Sequence, residues 1–258
     1  MDPASLIGVA LAFGSVFLLI ILEGGSIGSI FLIPPLILIF GGTIGVTMAG
    51  GYMKDAVNIG KIMVRAFTTK VTPPDALVEQ IVKLAERARR EGLLALEDAM
   101  KDVEDPFLKK GLQLAIDGTD PEELADILEA EVKAKKNADK FAAKTFADMG
   151  AFSPTIGIVG TTLGLINALE NLAQPEKLGH LIASAFVATL WGLLSANMIF
   201  LPISNKMKRV SEIESGLMEM VVAGIINIQA GANPRLVAQK LRSLLPPGSE
   251  PAEEKKAA

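Results

Sequence analysis

Four runs of this chain carry no charged side chain: Pro3–Leu22, Gly24–Met53, Met149–Leu169 and Leu178–Ser204. An α-helix needs roughly 20 predominantly apolar residues to cross a bilayer. The pattern predicts spanning helices over 4–22, 30–50, 149–169 and 181–203. Uncharged runs of this length are rare in the core of a water-soluble protein. Between the second and third runs the pattern changes to helical periodicity with short breaks. Thr72-Pro-Pro-Asp75 reads as a turn ending in an N-cap, followed by Ala76–Glu91 with Leu77, Ile81, Leu84, Ala85 and Ala88 on one face. Gly92 ends that helix, Leu93–Val103 reads as a second, and Asp105-Pro106 starts a third. Thr119-Asp-Pro-Glu-Glu is another helix start, with Pro121 in the first turn and acids complementing the dipole. From there the helix is free to run into the third span. After the fourth span, 205–228 reads as one long helix, stopped by Ala230-Gly-Ala-Asn-Pro234, and Pro234 opens a short helix to Leu245. No strand-like alternation occurs.

The expected fold is therefore all-α: a polytopic membrane protein with four transmembrane helices and a helical cytoplasmic domain between spans two and three. The corresponding divisions are 1–51, 52–148, 149–204, 205–246 as a helical extension, and 247–258 as a low-complexity, disordered tail.

Composition agrees with this pattern. Half of the 258 residues are hydrophobic, and the mean hydropathy is +0.41. Of the 25 lysines and arginines, 16 lie in 54–148, eight follow Ser204, and only Lys177 lies in the loops 23–29 and 170–180. Cytoplasmic segments carry the excess of Lys and Arg, which predicts cytoplasmic N- and C-termini. The residues before the first run lack a basic leader and no clear cleavage site follows it, so a retained helix is expected. With no cysteine and a single histidine, His180, thiolate and His-rich metal sites are excluded. No Gly-rich phosphate loop, nucleophile elbow or metal-ligand spacing occurs, and no enzyme active site is expected.

The candidate chemistry lies inside the apolar runs. Ser153-Pro-Thr-Ile-Gly-Ile-Val-Gly-Thr-Thr-Leu-Gly-Leu-Ile-Asn167 carries the hydroxyls of Thr155, Thr161 and Thr162, yet no ionisable group lies between Asp148 and Glu170. A carrier that moved protons alone would ordinarily place one there. The fourth run repeats Ala185, Thr189, Gly192 and Ala196 at helical spacing, an interface stripe for another helix. Counted in from opposite ends of antiparallel spans, Thr161 and Thr189 both fall near mid-membrane. A single Thr reads first as interhelical glue, but hydroxyls on both spans at comparable depth strengthen the reading as pathway oxygens. Pro154 and Pro202, near the cytoplasmic ends of spans three and four, read as two kinks at one depth: a hinge, or a simple bend. In the second run, Pro34 and Pro35 predict a kink, and Gly41, Gly42 and Gly45 permit close helix contact. The charges from Lys83 to Glu97 read as a solvated surface or as a docking face for a partner.

Several stretches together resemble the MotA family, the ion-channel subunits of the bacterial flagellar stator, called PomA in sodium-driven motors. They are Gly24-Gly25 with Phe31, Pro34 and Gly41-Gly-Thr43; Ala88-Arg-Arg-Glu-Gly-Leu-Leu-Ala-Leu-Glu97; Pro154-Thr-Ile-Gly-Ile-Val-Gly-Thr161; and Gly224-Ile-Ile-Asn-Ile-Gln-Ala-Gly-Ala-Asn-Pro234. The resemblance covers about 3–246. It implies a multi-pass protein of the bacterial inner membrane, a homopentamer around two copies of a MotB- or PomB-like partner. That partner supplies the membrane Asp missing here. The resemblance further implies no cofactor, no nucleic acid, and torque exerted on the rotor switch protein FliG. Arg89, Arg90 and Glu97 fall on the family's rotor-contact charges, Pro154 and Pro202 on its coupling prolines, and Thr161 and Thr189 on positions facing the partner's Asp. Sodium-type relatives carry hydroxyls at both of the last two positions, because a dehydrated cation needs oxygen ligands. That favours Na+ over H+, with Na+ passing transiently near Thr161 and Thr189, although Ala188 departs from the sodium-type pattern. An ExbB/TolQ-like subunit energising outer-membrane processes would have three spans and a different cytoplasmic disposition. A self-contained channel or transporter would carry its own intramembrane charge or an inverted repeat.

Overall fold

The computed structural model describes residues 3–51, 53–69 and 73–245. Thr72, the first residue of the predicted turn, and the tail 247–258 lie outside them. In chain order the helices are α1 (Pro3–Leu22), α2 (Ile33–Ala49), α3 (Met53–Thr68), α4 (Pro74–Glu91), α5 (Pro106–Ile116), α6 (Pro121–Glu170), α7 (Pro175–Gln229) and α8 (Pro234–Ser243). No strand occurs among the described residues. The protein is an all-α polytopic membrane protein. α1, α6 and α7 are long and apolar enough to span, whereas α2 is a shorter apolar helix that begins at Ile33 rather than near residue 30.

The reason for the late start is the proline pair. Pro34 and Pro35 occupy the first turn of α2 instead of kinking its middle. The first-turn N–H groups have no intrahelical acceptor, so a missing N–H costs nothing there. The irregularity appears one turn later, as a π-helical segment over Ile37–Gly41. A second π segment, Ser195–Phe200, lies in α7 just before Pro202.

The chain divides into two compact units. The first comprises 1–69 and 139–209, the second 70–138 and 210–258. α3 and the residues 139–148 thus belong with the membrane helices, and the divisions fall inside α6 and α7 rather than at breaks between helices.

In the membrane unit, none of the Ser5–Leu22 stretch of α1 is buried. Trp191 of α7 anchors one cluster with Ile39, Val187 and Leu194. Its ring meets Phe31 edge-on, with centroids 5.3 Å apart. Its Nε1–H donates to the carbonyl of Ile30 at 2.6 Å, which gives a buried indole the partner it needs in an apolar medium. A second cluster joins Ala66 of α3 to Phe146, Met149, Phe200 and Ile203.

In the second unit, α4, α5, α8 and parts of α6 and α7 enclose Ile81, Leu108, Leu112, Leu128, Ile225 and Leu241, all fully buried. Asp105 caps α5, accepting from the N–H of Phe107 and of Leu108 at 2.8 Å each. Asp75 sits in the first turn of α4, and the position before that helix is Pro73 rather than the predicted acidic cap. The region predicted as a helix over Leu93–Val103 is a run of short turns: Leu93–Ala95, Leu96–Ala99 and Met100–Asp102. Gly92 turns the chain into it at φ +86°, a conformation that disfavours side chains.

Candidate functional site: a hydroxyl-lined seam between two spans

Spans three (in α6) and four (in α7) meet along a seam of glycines and small side chains, where the two backbones come close together. A Cβ added at Gly157 would lie 3.0 Å from the carbonyl oxygen of Ala188 and 3.3 Å from Cα of Gly192. One added at Gly192 would lie 2.9 Å from the carbonyl oxygen of Ser153. At Gly164 it would meet Cα of Ala185 at 3.0 Å. The predicted small-residue stripe of span four therefore packs backbone to backbone against glycines of span three. Such approach is how transmembrane helices gain contact without a hydrophobic driving force.

The half-buried Thr161 and Thr189 bond each other through their hydroxyls across this seam. Thr161 Oγ1 also contacts the carbonyl of Ala185 at 2.9 Å and that of Gly157 at 3.2 Å, and Thr189 Oγ1 contacts Gly157 O at 3.4 Å. Two hydroxyls and two backbone carbonyls thus converge on one point. Hydroxyl and carbonyl oxygens suit a hard cation, and hydroxyls bonded in series equally suit proton passage. No carboxylate belongs to this cluster.

Thr155 and Thr162 do not join the cluster. They lie on the exposed face of α6, and each donates back to its own helix, to Phe152 O at 2.6 Å and Ile158 O at 2.9 Å. That satisfies the hydroxyl locally.

A second hydroxyl pair lies two turns away. The Oγ atoms of Ser153 and Ser195 are 2.6 Å apart and fully buried. The sequence reading missed it, although a signal was present: Ser153 precedes Thr161 by about two helical turns and so shares its face.

Pro154 lies inside α6, half-buried, with its Cα 3.4 Å from the Cβ position of Gly192. Pro202 is exposed. The two are not level. The seam pairs residue 153 with 195, which leaves Pro202 about 10 Å further along α7, at 1.5 Å per residue. Equal counting from the predicted span ends missed this, because glycine packing and not span length sets the register.

In the second unit, Arg89 and Arg90 occupy the last turn of α4 and Glu97 the short helix Leu96–Ala99, all exposed. Leu94, 71% exposed, lies between them in sequence. Arg87 pairs with Glu91 at 3.2 Å. The Asp98 carboxyl is held below its ordinary range, first by the hydrogen bond from Lys101 at 2.9 Å, then by that ammonium's charge and, more weakly, by Arg87. The same hydrogen bond raises the Lys101 ammonium. Among the described residues no group of three or more His, Cys, Asp or Glu could hold a metal ion.

Two family models match the chain: "Motility protein A N-terminal" over residues 6–92 and "MotA/TolQ/ExbB proton channel family" over 99–220. Motility protein A of Bacillus subtilis is 36% identical over 95% of this chain and 92% of its own. Chemotaxis protein PomA of Vibrio alginolyticus is 31% identical over 98% of this chain and 99% of its own. The solved flagellar MotAB stator complex from Bacillus subtilis superposes with a TM-score of 0.88 at 34% identity, covering 99% of this chain and all of that one.

Proposed function

Because the chain belongs to the MotA/PomA family of motility proteins, we propose that it is a stator subunit of the bacterial flagellar motor. With a MotB-like partner it conducts ions down their gradient and converts the flow to torque. The observation that carries this is the oxygen cluster of Thr161, Thr189, Gly157 and Ala185 in a span with no ionisable group. It supplies ligands but no titrating group, so the complementary carboxylate comes from a second chain.

The ion is Na+ in this reading. Four oxygens gathered at one point are what a partly dehydrated cation requires, whereas a proton needs only a chain of hydrogen bonds. Five copies surround two partner copies, in the bacterial inner membrane with both termini cytoplasmic. Arg89, Arg90 and Glu97 meet the rotor protein FliG, and Pro154 and Pro202 couple ion occupancy to helix movement. One elementary charge falling through 100 mV yields about 2.3 kcal/mol. That suffices to shift a helix between two packings and is too little to unpack a core.

The test measures swimming and ion flux of this subunit with its partner while sodium and pH are varied independently. Flux that follows sodium at constant pH is the expected result. Swimming that persists without sodium across a pH range overturns the ion assignment, and flux through liposomes containing this chain alone overturns the need for a partner.

A further inference from the structure

Tryptophan in a membrane protein ordinarily sits at the interface, where one end of its ring system is wet. Trp191, the chain's only tryptophan, does not. It is 7% exposed and lies two residues beyond Thr189, near the middle of span four. Two residues along an α-helix are about 200° apart. The indole therefore leaves span four on the face opposite the Thr189 hydroxyl.

The indole is held on several sides. Its Nε1–H donates to the carbonyl of Ile30 at 2.6 Å, and Ile30 is the first buried residue after α1, residues 21–29 all being exposed. The rings of Phe31 and Phe40 lie 5.3 and 6.1 Å from it, centroid to centroid, and Ile39, Val187 and Leu194 pack in the same cluster. The backbone of Trp191 is held as well. A hydroxyl has one hydrogen to give. Ser195 gives its own to the carbonyl of Trp191 at 2.6 Å, so the 2.6 Å bond between Ser153 and Ser195 is donated by Ser153.

One buried hydrogen-bonded line thus runs from Ser153, beside Pro154 in span three, through Ser195 and Trp191 in span four, to Ile30 at the entry to α2. Thr189 lies on the stretch of span four that this line clamps. A rotation of span four that turned Thr189 away from Thr161 would carry the indole off the Ile30 carbonyl and against Phe31 or Phe40. An N–H parted from its acceptor in an apolar medium finds no water to replace it, so the rotation is resisted. A binding constellation needs neighbours of this kind, which hold it to within about 0.5 Å and 10–20°.

We propose that Trp191 is a positioning residue of the ion site. Through Ile30 on one side and Ser195 on the other, it fixes the rotation of span four and with it the alignment of Thr189 with Thr161. Neither Trp191 nor Ser195 touches the ion. They set how well the oxygens of Thr161, Thr189, Gly157 and Ala185 converge, and so the affinity for the conducted ion rather than the ceiling of its flux. The inference rests on the reading of that cluster as an ion site, and it holds whichever ion is conducted.

The full chain with its partner is reconstituted in proteoliposomes, and flux is measured against sodium at constant pH and against pH at constant sodium. Trp191→Phe keeps an aromatic ring in the cluster and removes the N–H. Its half-saturating ion concentration is expected to rise about tenfold, the lower end of what losing an outer-shell partner costs at a metal site, with the maximal flux preserved. Ser195→Ala moves the half-saturation in the same direction. The wild-type complex supplies a second reading that does not depend on either variant folding. Trp191 emission should shift as the conducted ion is added, with the half-saturation of the flux, and the shift should be absent in Thr161→Ala. A wild-type complex that conducts no ion overturns both the stator reading and this proposal. A conducting wild type whose half-saturation is unchanged by Trp191→Phe and Ser195→Ala, or whose emission is indifferent to the ion, overturns this proposal alone.

Discussion

Gly192 shows how much a missing methyl group can determine. Its Cβ position is 2.9 Å from a backbone oxygen and 3.1 Å from Cα of Gly157, neighbours that cannot rotate away. Gly192→Ala should destabilise the membrane unit by about 1–3 kcal/mol, the usual range for overpacking, read as a lowered unfolding temperature in detergent. Gly45→Ala, with nothing within 4 Å, should be neutral in the same assay. The threonines should behave in the opposite sense. Thr161→Ala and Thr189→Ala remove interhelical hydrogen bonds worth about 0.6 kcal/mol on average. Each variant should therefore fold while losing ion flux, and normal motility in both would leave only a structural role. At the other unit, Asp98 makes a pH prediction. Its carboxyl is depressed by Lys101, so the pair contributes above the ordinary carboxylate value of about 3.9 and is lost as pH falls through the depressed value. An NMR titration should place Asp98 below that ordinary value and Lys101→Gln should move it back up.

The long helices were the most legible elements. Pro121 with its acids marks the start of α6, and nothing in the following residues stops it before Glu170. What the sequence could not carry was the register between helices. The pairing of 153 with 195 and of 161 with 189 follows from glycines on two spans fitting each other, a property of neither span alone. The same gap left the Ser153–Ser195 pair unnoticed and placed the two prolines at one level. A double-mutant cycle of Ser153→Ala and Ser195→Ala should give a coupling of about 0.6 kcal/mol, at most about 1.7. Additive effects of the two substitutions would show that the pair does not act as a unit. The α2 prolines teach the converse: a helix breaker in mid-run becomes a helix starter once the boundary shifts to Ile33.

At the scale of the molecule, the charge-free runs and the Lys and Arg asymmetry were enough for fold class and for an orientation that chemistry can check. The chain lacks cysteine, so single cysteines report without background. Ser26→Cys should react with a membrane-impermeant maleimide on intact cells, and Ser243→Cys only after permeabilisation. The reverse pattern would invert the topology. The boundary between the two units was not legible, because it falls within α6 beside Lys135, Lys136 and Lys140, a solvated run with no break in helical pattern. α3 was overlooked although its signal was present, since Ile59, Ile62, Ala66 and Phe67 fall on one helical face and Lys61 and Arg65 on the other. The backbone contact between spans three and four has a mechanical consequence. Side chains between two helices act as springs, because each can change rotamer and absorb a small displacement. Where Gly157 meets Gly192 there is no spring. A shift of span three is handed to span four with little slack, so the pair moves as a stiff linkage, and work done on one helix is not dissipated before it reaches the other.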